Sequence, residues 1–238
     1  MKVCWFSCGV SSCVAAALEP SARLVRIAIS DEHSDNERFC AEVEPALGRK
    51  IETLRSPWRS VDAVARGMRY INGTAGAPCT RLLKRTVREE WERANPGTHE
   101  YVWGFDADEA GRMARLKGPH THTAPLIDRH ISKAEAHGLF ARLFRGIKRP
   151  VMYELGYQNN NCIGCVKGGM GYWNAIRRDF PLVFKARAAL ERELGASCIS
   201  GVYLDELDPN AGKHETIATQ CGLACFAAMH EHKEHEEE

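Results

Sequence analysis

The sequence is short of several features that would declare a class at once. Charge of one sign is missing: 32 Lys and Arg stand against 31 Asp and Glu, a formal net charge of +1 over 238 residues. Bulk charge therefore gives no case for nucleic acid or a membrane surface, and any anionic partner has to be met by a local patch. No apolar run approaches the roughly 20 residues that a membrane-spanning helix requires. No internal repeat is present, nor a linker long enough to separate two domains. The start, "MKVCWFSCGVSSCVAAALEP", imitates a secretory signal, but Ser7, Ser11 and Ser12 interrupt the stretch where a signal core is usually continuous.

Cysteine, by contrast, is plentiful, with ten in the chain. Only Cys162 with Cys165 and Cys221 with Cys225 form close pairs around turn-forming residues. Cys4, Cys8, Cys13, Cys40 and Cys198 lie in apolar or helical contexts, where thiols behave as small hydrophobes. This is not the even, loop-rich framework of a small secreted domain, so a reducing cytoplasm is the expected setting. A hydrophobic content of 44% and a charged content of 26% are those of an ordinary globular chain.

Short apolar runs alternate with helical patterns through the first half, which predicts α/β architecture: a doubly wound, mostly parallel five-stranded sheet. The strands fall at "KVCWF", "LVRIAIS", "KIETL", "YVWGF" and "HTAPLID". Helices fall at "SSCVAAALE", "NERFCAEVEPALG" with Gly48 as its C-cap, "VDAVARGMRYI", "CTRLLKRTVREEWERA" and "SKAEAHGLFARLF". In the last of these Ser132 and Glu135 have the spacing of a capping box. Residues 1–150 form the α/β domain. Residues 151–228 are a cysteine-rich and helical extension of it, and 229–238 a polar tail expected to be disordered.

The turn "FSCGVSS" lies where the first strand should pass into the first helix. Gly9 permits a tight turn, helix-start amides can bind an anion, and Ser7, Ser11 and Ser12 add hydroxyls. An ordinary strand-to-helix turn explains the same residues. Acidic strand ends add to the first reading, because ligands of open parallel sheets bind at the carboxyl ends of the strands. Asp31 and Glu32 are placed to meet a ribose or base, and Asp106 or Glu109 to hold a metal or an arginine of the site. Each taken singly is also a plain cap or solvated charge.

In order, the serine-glycine turn, "SDEHSDNERF", "APCTRLLK", "GFDADEAGRMAR", "PLID" and "NNNCIGCVKGGMGYWNAIRRDFP" resemble the PAPS reductase-like branch of the PP-loop adenine nucleotide alpha-hydrolase superfamily, from about residue 2 to 181. The resemblance implies a nucleotide lying across the first turn, with Ser7, Gly9, Ser11 and Ser12 at its phosphates and Arg112 and Arg115 approaching them. The family turn is S-G-G-x-D-S. Here Cys8 replaces a glycine and Ser11 the aspartate, a departure shared with PAPS reductases that weakens the case for standard Mg2+-assisted ATP adenylation.

Thiolates three positions apart, with Gly164 between, can face one metal. The family's iron-sulfur members add a cysteine before a helix, which corresponds to Cys79. A [4Fe-4S] cluster on Cys79, Cys162 and Cys165, a structural zinc, and reduced thiols all remain open. Arg81, Lys84 and Lys167 would favour the thiolate form. "TQCGLACF" resembles the terminal E-C-G-L-H of sulfonucleotide reductases through C-G-L alone; Cys221 is then a catalytic nucleophile, a fourth cluster ligand, half of a dithiol with Cys225, or a packed helix residue. Arg81, Lys84, Arg85 and Arg88 share helical spacing and suit either phosphates or solvent. Tyr172 and Trp173 suit a base or the core.

The expected function is an ATP-dependent, cluster-containing sulfurtransferase acting on a substrate such as nucleic acid. The alternatives are an oxidoreductase that releases sulfite from APS or PAPS with thioredoxin as reductant, and a non-catalytic nucleotide-binding subunit. A sulfur-donor protein and a homodimer are the other partners considered.

Overall fold

The computed structural model describes residues 1–212; Cys221, Cys225 and the 229–238 tail lie outside them. Among the described residues five strands form one all-parallel sheet: β1 Lys2–Trp5, β2 Arg23–Ala28, β3 Ile51–Arg55, β4 Glu100–Val102 and β5 Thr121–Thr123, in the order β3-β2-β1-β4-β5. The expected doubly wound α/β architecture is present. β1 lies at the centre, with Cys4 opposite both Leu24 and Val102.

Alternation along β1 divides its side chains between two apolar layers. Cys4 and Phe6 face the side covered by α1 (Val10–Leu18), α2 (Asp35–Leu47) and a later helix bearing Phe140. Val3 and Trp5 face the other layer, where Trp5 meets Trp91 edge-on at 5.5 Å. Gly48 ends α2 in the left-handed conformation at φ 63°, which a residue without Cβ adopts at no steric cost.

After α3 (Val61–Met68), a short helix α4 (Pro78–Thr80) runs through a π turn, Arg81–Arg85, into α5 (Thr86–Ala94). The extra residue in the π turn shifts the helical phase. Of the basic residues, Arg85 pairs with Glu89 at 2.6 Å and Arg88 with Glu92 at 3.3 Å, while Arg81 is exposed. Next come α6 (Ala110–Met113), α7 (Pro125–Asp128), α8 (Lys133–Leu143) and α9 (Val151–Glu154). The Ser132–Glu135 capping box forms at the start of α8.

"HTAPLID" is thus only half strand. Pro125 stands at the first position of α7, where its missing N–H costs nothing and its fixed φ suits the helix. Asp128 is consequently exposed and does not mark a strand end.

Residues 151–212 pack into the same molecule. α10 (Met170–Asp179) and α11 (Pro181–Leu194) share an apolar cluster with Ile29, Val61, Val64 and Leu83 from the first half. Trp173 and Ile176 are both fully buried there, each contributing about 1.5–3 kcal/mol of hydrophobic stabilisation. Tyr172 and Trp173 therefore belong to the core.

Candidate functional site

The chain leaves β1 and β4 in opposite directions across the sheet, which makes the gap between their carboxyl ends the switch point where open α/β sheets bind ligands. A crevice opens there. Ser7, Gly9, Ser11 and Ser12 line it, as do Glu32, Glu109 and Arg112. Seven of the expected residues are thus brought together.

The turn is built differently from its sequence reading. Gly9 sits at φ −93°, a conformation open to any residue; its smallness matters because an added Cβ would meet the Tyr153 hydroxyl at 3.1 Å. The residue in the left-handed region is Cys8, at φ 56°. Ser12 is buried, accepts the Ser7 N–H at 3.2 Å and donates to the Gly9 carbonyl at 2.9 Å. Its hydroxyl locks the turn, which leaves Ser7 and Ser11 as the hydroxyls for a ligand. α1 follows directly, and its first-turn amides have no intrahelical acceptors.

Gly104, just beyond β4, completes this arrangement. A Cβ at that position would stand 2.5 Å from the Ser12 Cα and 2.6 Å from the Ser12 nitrogen. Only glycine lets the two backbones approach this closely.

Of the opposite wall, only Lys84 was apparent in the sequence. Lys84, Lys133, Tyr153 and the run Asn159–Asn160–Asn161 line the crevice. The Lys133 ammonium bonds to the Asn159 side chain. Tyr153 accepts the Val10 N–H at 3.3 Å, and burial pushes its phenol up to about 12, so it remains a neutral hydroxyl. Asn160 is buried and donates to the Cys8 carbonyl at 2.8 Å and to the Asn36 side chain at 2.7 Å; its own side-chain oxygen has no partner. The sequence signal was the asparagine run beside the cysteines, but nothing local assigned it to the turn after β1.

Three expected residues, Asp31, Asp106 and Arg115, have other surroundings. Asp31 accepts the Val61 N–H at 2.9 Å and lies 3.9 Å from buried Arg187, so it caps α3 rather than lining the crevice. Asp106 is buried and caps the helical turn Ala107–Glu109, its carboxyl pushed up by burial and then by Glu109. Arg115 is exposed and away from the lining, whereas Arg112 is held by Glu109. Glu32 stays in the crevice with its carboxyl raised by burial, against the opposing pull of Lys84 and Arg26.

Beside the crevice lies a second, much smaller cavity, lined by Cys79, Cys162 and Cys165 with Ile29, Val61 and Lys84 among its other walls. Lys84 borders both spaces. The turn that carries Cys162 and Cys165 is held from three sides. Gly164 takes φ 69°, the Tyr172 hydroxyl accepts the Cys165 N–H at 2.8 Å and donates to the Cys162 carbonyl at 3.1 Å, and the Ile163 N–H reaches the Asp31 carbonyl at 2.7 Å. No disulfide is formed among the described residues.

A single metal ion needs three or more donors converging on one point. Among the described residues no such group of His, Cys, Asp or Glu exists. Cys79, Cys162 and Cys165 line one cavity, and a four-iron cluster would take each thiolate at a separate iron. Among the described residues, too, no helix is long and apolar enough to cross a membrane. No protein-family model and no curated protein matches the chain.

Proposed function

We propose that the protein is an adenine nucleotide-dependent sulfur-transfer enzyme of the PP-loop, PAPS reductase-like kind that its motifs resemble. The observation that carries this reading is the position of Lys84, which borders both the crevice and the three-cysteine cavity. One cation between a phosphate-suited turn and a set of thiols couples the two chemistries in space. The π turn that places Lys84 is a device often found at functional sites.

In this reading the α1 amides and the Ser7 and Ser11 hydroxyls bind the nucleotide phosphates, while Lys84, Arg112 and Lys133 offset their charge. Cleavage between the α and β phosphates releases pyrophosphate and leaves an adenylylated oxygen on the acceptor, nucleic acid being the leading candidate. Cys79, Cys162 and Cys165 would hold a [4Fe-4S] cluster. When bound, that group would supply an iron lacking a protein thiolate, open to a sulfide brought by a sulfur donor. Lys84 holds the negative charge of both sites.

The test is anaerobic purification, followed by iron and visible absorbance measurement and assay of ATP with candidate nucleic acids. Cluster absorbance with substrate-dependent pyrophosphate release is expected, and Lys84→Gln should weaken nucleotide binding about tenfold, in line with the ~1.5–3 kcal/mol of a charged hydrogen bond. Iron-free protein that binds no nucleotide would refute the reading, and sulfite release from a sulfonucleotide would replace it with the reductase.

A further inference from the structure

Where the turn after β1 meets α2, a second thiol site is built from residues 32 positions apart. The Cys8 and Cys40 sulfurs are 3.1 Å from one another. Cys8 lies in the turn and Cys40 in the middle of α2. The buried Arg26 guanidinium donates to the Cys40 sulfur at 3.2 Å, and is itself steadied by Glu37 at 3.2 Å and Glu32 at 3.7 Å.

We infer that Cys8 and Cys40 form a peroxide-sensitive modification site, closing to a disulfide that pins the phosphate turn to α2. A disulfide requires about 2.05 Å between sulfurs, so a closure of roughly 1 Å suffices. The two thiols differ in the manner the reaction needs. Burial holds Cys8 protonated, while the Cys8 hydrogen bond, and then Arg26, favour the ionised form of Cys40.

The Cys40 thiolate attacks hydrogen peroxide and becomes a sulfenic acid, releasing hydroxide. Cys8, giving up its proton as it attacks, bonds to the sulfenic sulfur, and a second hydroxide leaves. The two thiol protons of the reduced pair convert both hydroxides to water, so two thiols and one peroxide give one disulfide and two waters. The two thiols are oxidised by two electrons in total, and the peroxide is reduced.

The consequence follows from what Cys8 touches. Its left-handed backbone and the Asn160 bond to its carbonyl set the geometry of Ser7 and Gly9 on either side. A covalent link to α2 shifts that carbonyl and disturbs the site for phosphates. This second arm rests on the nucleotide reading above; the link itself does not.

The full-length reduced chain is treated with hydrogen peroxide, digested without reductant and mapped by mass. The expected product joins the residue 8 and residue 40 peptides, is lighter by two hydrogens, and reverts with dithiothreitol. Cys40→Ser and Cys40→Ala, checked for folding by circular dichroism, should both lose it. Oxidation of other cysteines with no 8–40 link overturns the site. In a parallel titration with a fluorescent ATP analogue, oxidation should weaken binding about tenfold, some 1.4 kcal/mol, reversibly and not in Cys40→Ser. Equal affinity in both states overturns the effect on the turn. Absence of binding in both states defeats the nucleotide reading, with the modification site upheld by the linked peptide.

Discussion

The Tyr153 hydroxyl accepts the Val10 N–H at 3.3 Å across 143 residues of sequence. The Asn160 amide also bonds to it. One phenol thus joins the N-terminus of α1 to the loop that leads to Cys162, and so holds the two walls of the crevice together.

Tyr153→Phe keeps the ring and removes only that acceptor. Two backbone donors lose their partner, and a buried donor left unsatisfied costs about 1–3 kcal/mol. Chemical denaturation should show a loss of this order, and nucleotide titration a weaker affinity. Unchanged values in both would show that the oxygen does not brace the turn.

Gly104→Ala should be damaging out of proportion to one methyl group. Its Cβ would press on the Ser12 backbone at 2.5 Å, where no flexible side chain can give way. Overpacking of this kind costs about 1–3 kcal/mol, visible as a lowered melting temperature. Gly111→Ala is the matched control, because a Cβ there meets nothing within 4 Å. Equal melting temperatures for the two variants would contradict the close backbone approach.

Stability should also fall as the solution becomes mildly acidic. His137 packs edge-on against Tyr153 at 4.8 Å and lies 3.3 Å from Arg149. Burial, and then the charges of Arg149 and Lys133, push its pKa from the ordinary 6.5 down to about 4. The folded state therefore keeps His137 neutral while the unfolded chain takes up the proton first. The contribution is complete above about 6.5 and is lost as pH falls towards about 4. His120 and His122, also lowered chiefly by burial, act in the same direction. Urea midpoints at neutral and acidic pH should separate, and His137→Gln should narrow the gap without closing it. A variant with the parent's full pH dependence would exclude His137 as a contributor.

The sequence by itself determined what depends on near neighbours. The apolar alternation of "KVCWF" was enough for a central strand, Gly48 for a left-handed cap, and the Ser132–Glu135 spacing for a capping box, because each acts within a few residues. The turn after β1 and the C-x-x-C turn were visible for the same reason. Tertiary structure decided which side chains meet. A π turn carries Lys84 to the walls of both cavities, Arg187 and the Val61 amide took Asp31 out of the crevice, and Tyr153 with Asn160 arrived from the far half of the chain. Such contacts depend on burial and on the phase of packed elements, which nearest-neighbour patterns do not encode.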